Sequence, residues 1–469
     1  MRPKAQERGQ ALVIIALAVV GLFGFSALAI DGSRVFSDRR NAQNAADTAA
    51  LSAALAKIRL EDYVQAAKDR AADNGYSSNV EVALCNTLTA PNACQGIPTS
   101  GDPDRKNPAN YIHVKITSKL PATFARIIGR NEFTNITTAI AYAGPVEPKP
   151  LAEGNALAAM NRTEKDAIFS GGNISLDVNN SGIFSNSSYL DYGCQHGSMR
   201  TTGNGQITVD TSIQTVGNFC RGGNSVVDMA KVKEKVGFID YPPDISIEIP
   251  NFGCGGQQGS KSAPVNGVIT VTPGNHANLN IVGTYDVNFK PGTYCFSNGA
   301  SFLGPDVIAD NVRFLVTGGS FNLNGGSLTC NDMLVHIDGG NGISFSGNST
   351  IHCNNVTFIA STGNVTWNGN ADNRIYAPTG GDYKGVLLYM PYPNDDAIKI
   401  NGNATSEMTG SIIGVAAPIT ITGNNWTNGL NSQIVGNTVN LDGNGLMVIN
   451  YFPEDQYQQI DPSAIMLTK

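Results

Sequence analysis

Residues suited to general acid–base chemistry cluster at one place in the sequence. Asp395 and Asp396 are adjacent, Lys399 follows them, and the insertion Asp372–Gly385 lies beside them. Such a group could act as acid and base on a glycosidic bond, or could bind Ca²⁺. The candidate ligand-binding residues are Arg374, Tyr376, Asp382, Tyr383, Lys384, Asp395 and Asp396. A solvated turn beside a surface loop is favoured over catalysis, because no further acid or histidine cluster joins them.

Other catalytic and metal-binding patterns are missing from the sequence. His336 and His352 alternate with apolar strand residues, so we expect both to be packed or stacked in a sheet. No Cys/His spacing predicts a zinc site, no Gly-rich strand-to-helix loop predicts phosphate binding, and no Gly-x-Ser-x-Gly elbow occurs. Trp367 is expected to pack inside, whereas Tyr383 and Tyr392 fit packing or ligand binding equally. The sequence predicts no enzyme, no cofactor and no metal.

Composition restricts the fold class and the partners. Only 15% of the 469 residues are charged and the net charge is −7, so no basic surface for nucleic acid is expected. The 52 glycines lie, with many asparagines, mostly after residue 170, between alternating apolar residues. This pattern is typical of short strands joined by tight turns, and the chain is therefore expected to be mainly β.

An internal repeat predicts the architecture of the C-terminal two thirds. One glycine follows the second strand of each repeat, and subtraction of the successive residue numbers gives steps of 22, 22, 33, 21 and 20. These glycines are Gly325, Gly347, Gly369, Gly402, Gly423 and Gly443. Stacked coils give a constant step, so we predict a right-handed parallel β-helix over residues 156–452, less regular between 155 and 260. A β-sandwich is the alternative, and it would not produce the step. Asparagine amides are expected to stack in ladders between coils.

Two features within or beside the predicted β-helix complete this part of the sequence. Residues 241–250 are bounded by prolines and are expected to form a loop that crosses the solenoid. The even number of cysteines favours disulfides in an oxidising compartment. Cys330 and Cys353 are one coil apart, so their side chains should stack at roughly 5 Å. The remaining suggested pairs are Cys85 with Cys94, Cys194 with Cys220, and Cys254 with Cys295.

An uncharged segment near the N-terminus is long enough to span a membrane. Ala11–Ile30 has 20 residues, which as a helix cover a hydrocarbon core of about 30 Å. Good helix formers continue beyond it to Asp73, which favours an uncleaved anchor over a signal peptide. Three basic residues precede the span and three follow it, so the cysteines decide the orientation. They are Arg2, Lys4 and Arg8, and Arg34, Arg39 and Arg40. We expect the N-terminus in the cytoplasm and the rest outside it, in the periplasm or at the cell surface.

Beyond the span, polar residues follow one face of the predicted long helix. Asp31, Arg39, Gln43 and Asp47 share that face at multiples of four, and alanines form another, smooth face. From periodicity alone, packing of this helix against its own domain is favoured. A partner helix is the alternative, and these four residues would then contact it.

The string "RGQALVIIALAVVGLFGFSALAIDGSRVFSDRRNAQNAADTAALSAALA" resembles the N-terminal module of TadE/TadG-like proteins of the tight-adherence (Tad, or Flp) pilus system. An Arg-Gly start and an apolar span lead to Asp31-Gly32, then to Gln43 and Asp47 in a Gln-x-x-x-Asp-x-Ala-Ala-Leu segment. The resemblance implies a membrane-anchored, pilin-like or minor assembly component, with Tad/Flp machinery or pilin-like proteins as partners and no catalysis. The resemblance favours contact of this helix with a partner helix over packing against its own domain.

The chain divides into five predicted parts. A membrane anchor and pilin-like helix cover residues 1–74, a small α+β module covers 75–144, a linker covers 145–155, the β-helix covers 156–452 and a tail covers 453–469. The expected function is structural, in Tad/Flp-type pilus assembly, with the β-helix as a presentation or adhesion module that could bind surface glycans. The alternative is a membrane-tethered carbohydrate-binding or polysaccharide-degrading β-helix protein, which rests on fold analogy.

Overall fold

The computed structural model describes residues 7–59, 61–89, 94–99, 103–144, 148–243, 245–368, 372–460 and 465–468. Two compact units divide the chain. Residues 1–147 with 460–469 form one, here called the anchor unit, and residues 148–459 form the other, here called the solenoid unit. Strands account for 46% of the structure, so the fold is mainly β as predicted.

The anchor unit combines two long helices with an antiparallel sheet. The helices are α1 (Glu7–Ile58) and α2 (Tyr63–Asp73), and Pro103–Lys106 forms a single turn. The strands are β1 (Val80–Leu84), β2 (Tyr111–Pro121), β3 (Glu132–Ala143) and β4 (Ile465–Thr468), hydrogen-bonded in that order. Short 3₁₀ turns occupy Cys85–Thr87, Pro108–Asn110 and Ala125–Ile128. The predicted α+β module is therefore present, and a strand from the C-terminal tail completes its sheet.

The long helix extends without a break from the apolar segment into the alanine-rich one. It ends at Ile58, and Asp62 begins α2 by accepting hydrogen bonds from the backbone N–H groups of Val64 and Gln65. The predicted helical run to Asp73 is thus two helices with a turn between them. The alanine face is fully buried against α2 and the sheet. Its members are Ala42, Ala45, Ala46, Ala49, Ala50, Ala53 and Ala54.

The solenoid unit is built from short parallel strands in about 13 turns. Its first group contains Leu157–Ala159, Ile168–Ser170, Asn173–Asn179, Ile183–Ser185, Met199–Thr201, Gln206–Val209, Ile213–Thr215, Phe219–Arg221, Val226–Val227 and Val232–Glu234. Its second group contains Val268–Val271, Gly274–His276, Leu279–Val282, Asp286–Phe289, Gly292–Phe296, Ala300–Leu303, Asp306–Val316, Ser320–Asn324, Ser327–Ile337, Gly342–Ser346, Thr350–Ala360, Asn364–Asn368, Asn373–Tyr376, Val386–Tyr389, Ile398–Asn403, Glu407–Thr409, Ser411–Asn431 and Ile434–Asn450. Pro148–Pro150 pairs with Gln458–Ile460 in a separate two-stranded sheet.

The register of the second group follows the repeated glycine. Gly402 pairs with Gly423, and Gly423 pairs with Gly443, in adjacent parallel strands. Gly325 donates a backbone hydrogen bond to Ser346, the residue before the next repeat glycine. Gly369 lies outside the described residues. These parallel pairings confirm stacked coils and exclude the alternative β-sandwich, whose sheets are antiparallel.

The coils do not stack in the order of the sequence. Leu157–Ala159 and Asn173–Asn179 pair with the last long strand, Ile434–Asn450. The first group therefore continues the stack beyond its C-terminal coil, and Val232–Glu234 marks one end of the solenoid. The strand Val268–Val271 marks the other end, where it pairs with Asp286–Phe289. The region that we expected to be less regular thus contains regular coils, placed on the far side of the repeat.

Residues 235–267, here called the strap, connect the two ends of the stack. They pass over outward-facing apolar residues of one side of the solenoid, in agreement with the predicted crossing loop. Residues of the strap pair in sequence order with residues of successively distant coils: Ile239 with Asn186, Glu248 with Tyr383, Phe252 with His336, and Cys254 with Cys295. This side of the solenoid is covered, so its strands are apolar on both faces.

Aromatic side chains fill much of the interior of the solenoid. Phe314 is fully buried, with its ring centroid 5.0 Å from that of Phe289 and 5.4 Å from that of Phe321. Trp367 is 2% exposed and packs on Phe345, with ring centroids 6.3 Å apart, which confirms its predicted interior position. Large rings stacked from coil to coil leave little room for repacking, so we expect this interior to tolerate few substitutions.

Asparagine side chains link the first group of coils to the second. The Asn173 amide donates to Asn444 at 3.2 Å across the junction of the two groups. Asn204 donates to Asn173 at 2.9 Å, and Asn224 donates to Asn204 at 3.1 Å. Each of these amides hydrogen-bonds to the amide of the adjacent coil, so the predicted amide ladder is present. The ladder crosses the junction where the first group of coils stacks on the last coil of the second group.

Candidate functional site

Asp31 connects the end of the apolar helix segment to the sheet of the anchor unit. Its carboxylate accepts hydrogen bonds from the backbone N–H groups of Thr123, Phe124 and Ala125, at 3.1, 2.9 and 2.7 Å. These N–H groups belong to the turn between β2 and β3, and Asp31 is only 3% exposed. A carboxylate with three N–H donors forms a strong, directional contact. Asp31 therefore fixes the turn against the helix at the residue that follows Ile30.

Asp38 forms a second contact of the same kind, two helical turns further along. It accepts from the Tyr76 hydroxyl at 3.0 Å, the Ser118 hydroxyl at 3.0 Å and the Asn135 amide at 2.6 Å. Burial and the hydrogen bond to Asp38 raise the pKa of Tyr76 to about 12. Sequence reasoning did not select Asp38. Its spacing of seven from Asp31 places both on one helix face, and that spacing is the signal that could have identified it.

Gln43 and Asp47 contact each other and the same sheet. The Gln43 amide donates to the Asp47 carboxylate at 2.8 Å and to the carbonyl of Thr138 at 3.1 Å. Arg39, by contrast, is exposed on α1. Three of the four residues proposed for a partner helix thus form hydrogen bonds within the anchor unit. A partner-helix contact for all four stays a prediction, and Arg39 is its most accessible member.

The predicted ligand-binding residues near the insertion lie on different parts of the solenoid unit. Arg374 and Tyr376 point outward from the strand Asn373–Tyr376. Arg374 forms an ion pair of 2.9 Å with Asp372, whose carboxylate is also 3.6 Å from the imidazole of His352. The Tyr376 hydroxyl donates to Glu407 at 2.9 Å. His352 is therefore on the outer surface rather than packed in the sheet, whereas His336 is buried at 3% exposure as expected.

The other members of that set lie elsewhere. The Tyr383 hydroxyl donates to the carbonyl of Glu248 in the strap at 3.2 Å, and Asp382 and Lys384 beside it are exposed. Asp395 and Asp396 are exposed in the connection between Val386–Tyr389 and Ile398–Asn403. That connection joins two different sides of the solenoid. Within the part of the chain that the structure describes, no group of three or more His, Cys, Asp or Glu side chains could hold a metal ion.

All eight cysteines form disulfides, in the four pairs that the sequence suggested. The bonds are Cys85–Cys94, Cys194–Cys220, Cys254–Cys295 and Cys330–Cys353. Cys330 and Cys353 pair in register on adjacent coils with their Cα atoms 4.5 Å apart, which confirms the predicted stacking. The solenoid repeat predicted the stacking of these two side chains, and the disulfide that this stacking allows is present.

Comparison with protein families finds a similarity in the first helix. A family model described as putative Flp pilus-assembly TadE/G-like matches residues 9–56. Residues 9–56 are therefore similar to this family and are called here the TadE/G-like segment. No curated protein and no solved structure matches the chain. The TadE/G-like segment includes the apolar stretch, Asp31, Asp38, Gln43 and Asp47, so it coincides with the part of α1 whose polar contacts organise the anchor unit.

The TadE/G-like segment also contains the one candidate membrane span found among the described residues. An 18-residue window of this helix has a mean hydropathy of 2.7, and none of that window is buried. Large apolar side chains are correspondingly exposed, including Leu17 at 68% and Phe25 at 77%. A helix with such a surface could anchor the chain in a membrane.

Proposed function

We propose that the chain is a membrane-anchored, extracytoplasmic structural component of Tad/Flp-type pilus assembly. The observation that carries this proposal is the TadE/G-like match over residues 9–56, which joins the apolar span to the helix face that docks on the sheet. Partners would be the Tad/Flp machinery or pilin-like proteins. Arg39 and its neighbours on the exposed part of α1 would contact them.

Two properties of the chain support the proposed anchoring and orientation. The exposed apolar surface of Ala11–Ile30 would be covered by lipid, as expected for a single membrane pass. Four disulfides are typical of an oxidising compartment, which supports a topology with both units outside the cytoplasm and the N-terminus inside it. The bulk of the protein would then lie in the periplasm or at the cell surface.

The solenoid unit would serve as a presentation or adhesion module. About 13 turns at a strand spacing of about 4.8 Å give a rigid stack roughly 60 Å long, with broad outer faces for proteins or surface glycans. We propose that this module is not an enzyme. Arg374 pairs with Asp372, and Tyr376 donates a hydrogen bond to Glu407. Asp395 and Asp396 lie in a different loop, between Val386–Tyr389 and Ile398–Asn403.

The proposal is tested by electron microscopy of surface pili on cells of the source organism that lack the gene. Pili should be lost, and the full chain expressed in trans should restore them. A chain with Arg39→Glu should restore fewer pili at equal abundance in the membrane fraction, whereas Arg59→Glu, an exposed control directly after the end of α1, should restore them fully. Normal pilus numbers without the gene would contradict the proposal.

A further inference from the structure

The turn between β2 and β3 lies beside the apolar segment of α1. Phe124 and Ala125 from this turn line a cavity of about 500 Å³ together with residues of the helix. The helix residues in its wall are Val20, Phe23, Gly24, Ala27, Leu28 and Asp31. Phe124 remains 38% exposed. An exposed aromatic side chain thus shares an open, apolar cavity with residues that belong to the proposed membrane span.

This placement is fixed by hydrogen bonds rather than by apolar contact alone. The Asp31 carboxylate binds three consecutive N–H groups of the turn, and the Arg34 guanidinium donates to the Thr123 hydroxyl. The turn cannot move away from the helix without leaving these donors unpaired. Its depth relative to the span is therefore set by the fold of the anchor unit.

Apart from the buried Asp31, the charged residues that border the turn are basic. Arg126 and Arg130 lie within it and Arg34 faces it from the helix, and all three are exposed. Residues 122–131 include no aspartate or glutamate, and the nearby Glu132 is 3.6 Å from Lys119. Basic side chains that border an apolar surface suit the boundary between acyl chains and acidic headgroups.

We propose that the β2–β3 turn is a second membrane contact, in which Phe124 enters the acyl-chain region beside the span and the surrounding arginines bind acidic phospholipid headgroups. Phe124 lines the same cavity as residues 20–28 and its backbone N–H donates to Asp31, so its side chain lies beside the end of the proposed span. If they are in the bilayer, acyl chains fill the cavity and cover Phe124. This inference rests on the proposed anchoring of Ala11–Ile30. It adds that the folded unit is held against the membrane surface instead of projecting freely from it.

Tryptophan fluorescence tests the contact in the full chain. The two native tryptophans, Trp367 and Trp426, are buried in the solenoid unit and give a constant background. The chain is reconstituted in phosphatidylcholine–phosphatidylglycerol vesicles whose acyl chains carry bromine, a short-range quencher. Three variants are compared: Phe124→Trp in the turn, Leu17→Trp in the span, and Ile136→Trp on the exposed face of β3. Formation of the Cys85–Cys94 disulfide checks that each variant folds.

The expected result is quenching of the added tryptophan in Phe124→Trp and Leu17→Trp, and none in Ile136→Trp. Quenching of Leu17→Trp alone would overturn the second contact and leave the anchoring intact. Absence of quenching in Leu17→Trp would overturn the anchoring, and the inference with it.

A second comparison tests the headgroup contact. Quenching of Phe124→Trp should decrease when phosphatidylglycerol is omitted from the vesicles. Adding Arg126→Gln and Arg130→Gln should remove that dependence. Arg59→Gln should not, because residue 59 directly follows Ile58, and Ile58 lies about 40 Å along α1 from Asp31 at 1.5 Å per residue. Equal quenching with and without phosphatidylglycerol in the parent variant would contradict the role of the arginines.

Discussion

The anchor unit and the solenoid unit use polar side chains in opposite ways. In the anchor unit, a carboxylate such as Asp31 or Asp38 contacts unlike groups that are distant in sequence. In the solenoid unit, like stacks on like, as Asn173, Asn204 and Asn224 do in adjacent coils. The first arrangement holds one helix in one place, whereas the second repeats a contact along an axis. The solenoid unit can therefore be extended by adding coils, whereas the anchor unit cannot be extended by repetition.

The largest effect is expected where two coils approach most closely. A Cβ atom at Gly205 would lie 1.6 Å from the carbonyl oxygen of Ile174 in the neighbouring coil. Because backbone must move to relieve this overlap, Gly205→Ala should destabilise the solenoid unit by about 4 kcal/mol or prevent its folding. Urea unfolding followed by the fluorescence of Trp367 and Trp426 measures the change.

Gly380→Ala is the matched control, because its Cβ would meet nothing within 4 Å. A shift of less than about 0.5 kcal/mol is expected there. Equal stability of the two variants would show that the coils are not packed as closely as the register requires.

The next largest effect is expected in the strap, because this segment connects the two ends of the stack and so permits the coils to stack out of sequence order. Its bond Cys254–Cys295 closes a sequence separation of 41. Replacing both residues with serine should lower the free energy of unfolding of the solenoid unit by about 2–4 kcal/mol. Urea unfolding under non-reducing conditions checks this. An unchanged midpoint would mean that the strap is held by its other contacts alone.

In the anchor unit, Asp31→Asn should weaken only the contact between α1 and the β2–β3 turn. Asparagine keeps the size of the side chain but loses the charge that strengthens the three N–H contacts, which is worth about 1.5–3 kcal/mol. Amide hydrogen exchange at residues 123–125 in detergent micelles should become roughly tenfold or more faster, while tryptophan fluorescence reports an unchanged solenoid. Ser33→Ala, at an exposed position of α1, is the control. Unaltered exchange in Asp31→Asn would contradict the role of Asp31 in holding the β2–β3 turn against α1.

A smaller, pH-dependent effect is expected where the strap packs on His336. Burial lowers the pKa of His336 below its usual value, against the opposing influence of Asp338. In the unfolded chain the imidazole binds its proton at higher pH than in the folded chain. Stability should therefore be complete above about pH 6.5 and decrease as the pH falls below it.

Replacing His336 with glutamine tests this effect, because glutamine does not titrate in that range. Urea midpoints measured between pH 5 and pH 8 should depend less on pH in His336→Gln than in the native chain. Identical pH profiles for the two chains would assign the acid sensitivity to other groups.

The smallest effect is expected at the acidic pair that first suggested chemistry. Asp395 and Asp396 are exposed, so replacing both with alanine should change the unfolding free energy by less than about 0.5 kcal/mol. The same variant should bind glycans on an array as the native chain does. Loss of glycan binding in it would give the pair a function and favour the carbohydrate-binding alternative.

The two units also differ in how much could be predicted from sequence. In the solenoid, the sequence repeat and its strand pattern were sufficient for the parallel register, the interior position of Trp367 and the stacking of Cys330 on Cys353, because every coil obeys the same geometry. The out-of-order stacking was not predicted. Residues 157–234 fit either end of a stack equally, and only the contacts of Asn173–Asn179 with Ile434–Asn450 decide between the ends.

In the anchor unit, periodicity identified the two faces of α1 but not the groups that they contact. The alanine face packs against its own sheet, as periodicity alone had favoured. The partners of Asp31 lie more than 90 residues away in the sequence. A local sequence pattern cannot predict a contact between residues so far apart. The strand β4 was missed for a related reason, since its four residues follow a solenoid of some 300 residues and pair with β3 across it.

Under the proposed function, the anchor unit performs the assembly role and the solenoid is a separable module. The most direct measurement is the number of surface pili on cells lacking the gene that express a chain without residues 148–459, in which residue 147 is joined to residue 460. This shortened chain keeps β4 available to its sheet, and Cys85–Cys94 bond formation in the membrane fraction verifies folding. Restored pili are predicted. Cells that carry this folded, membrane-bound chain and remain without pili, while the full chain restores them, would contradict the claim.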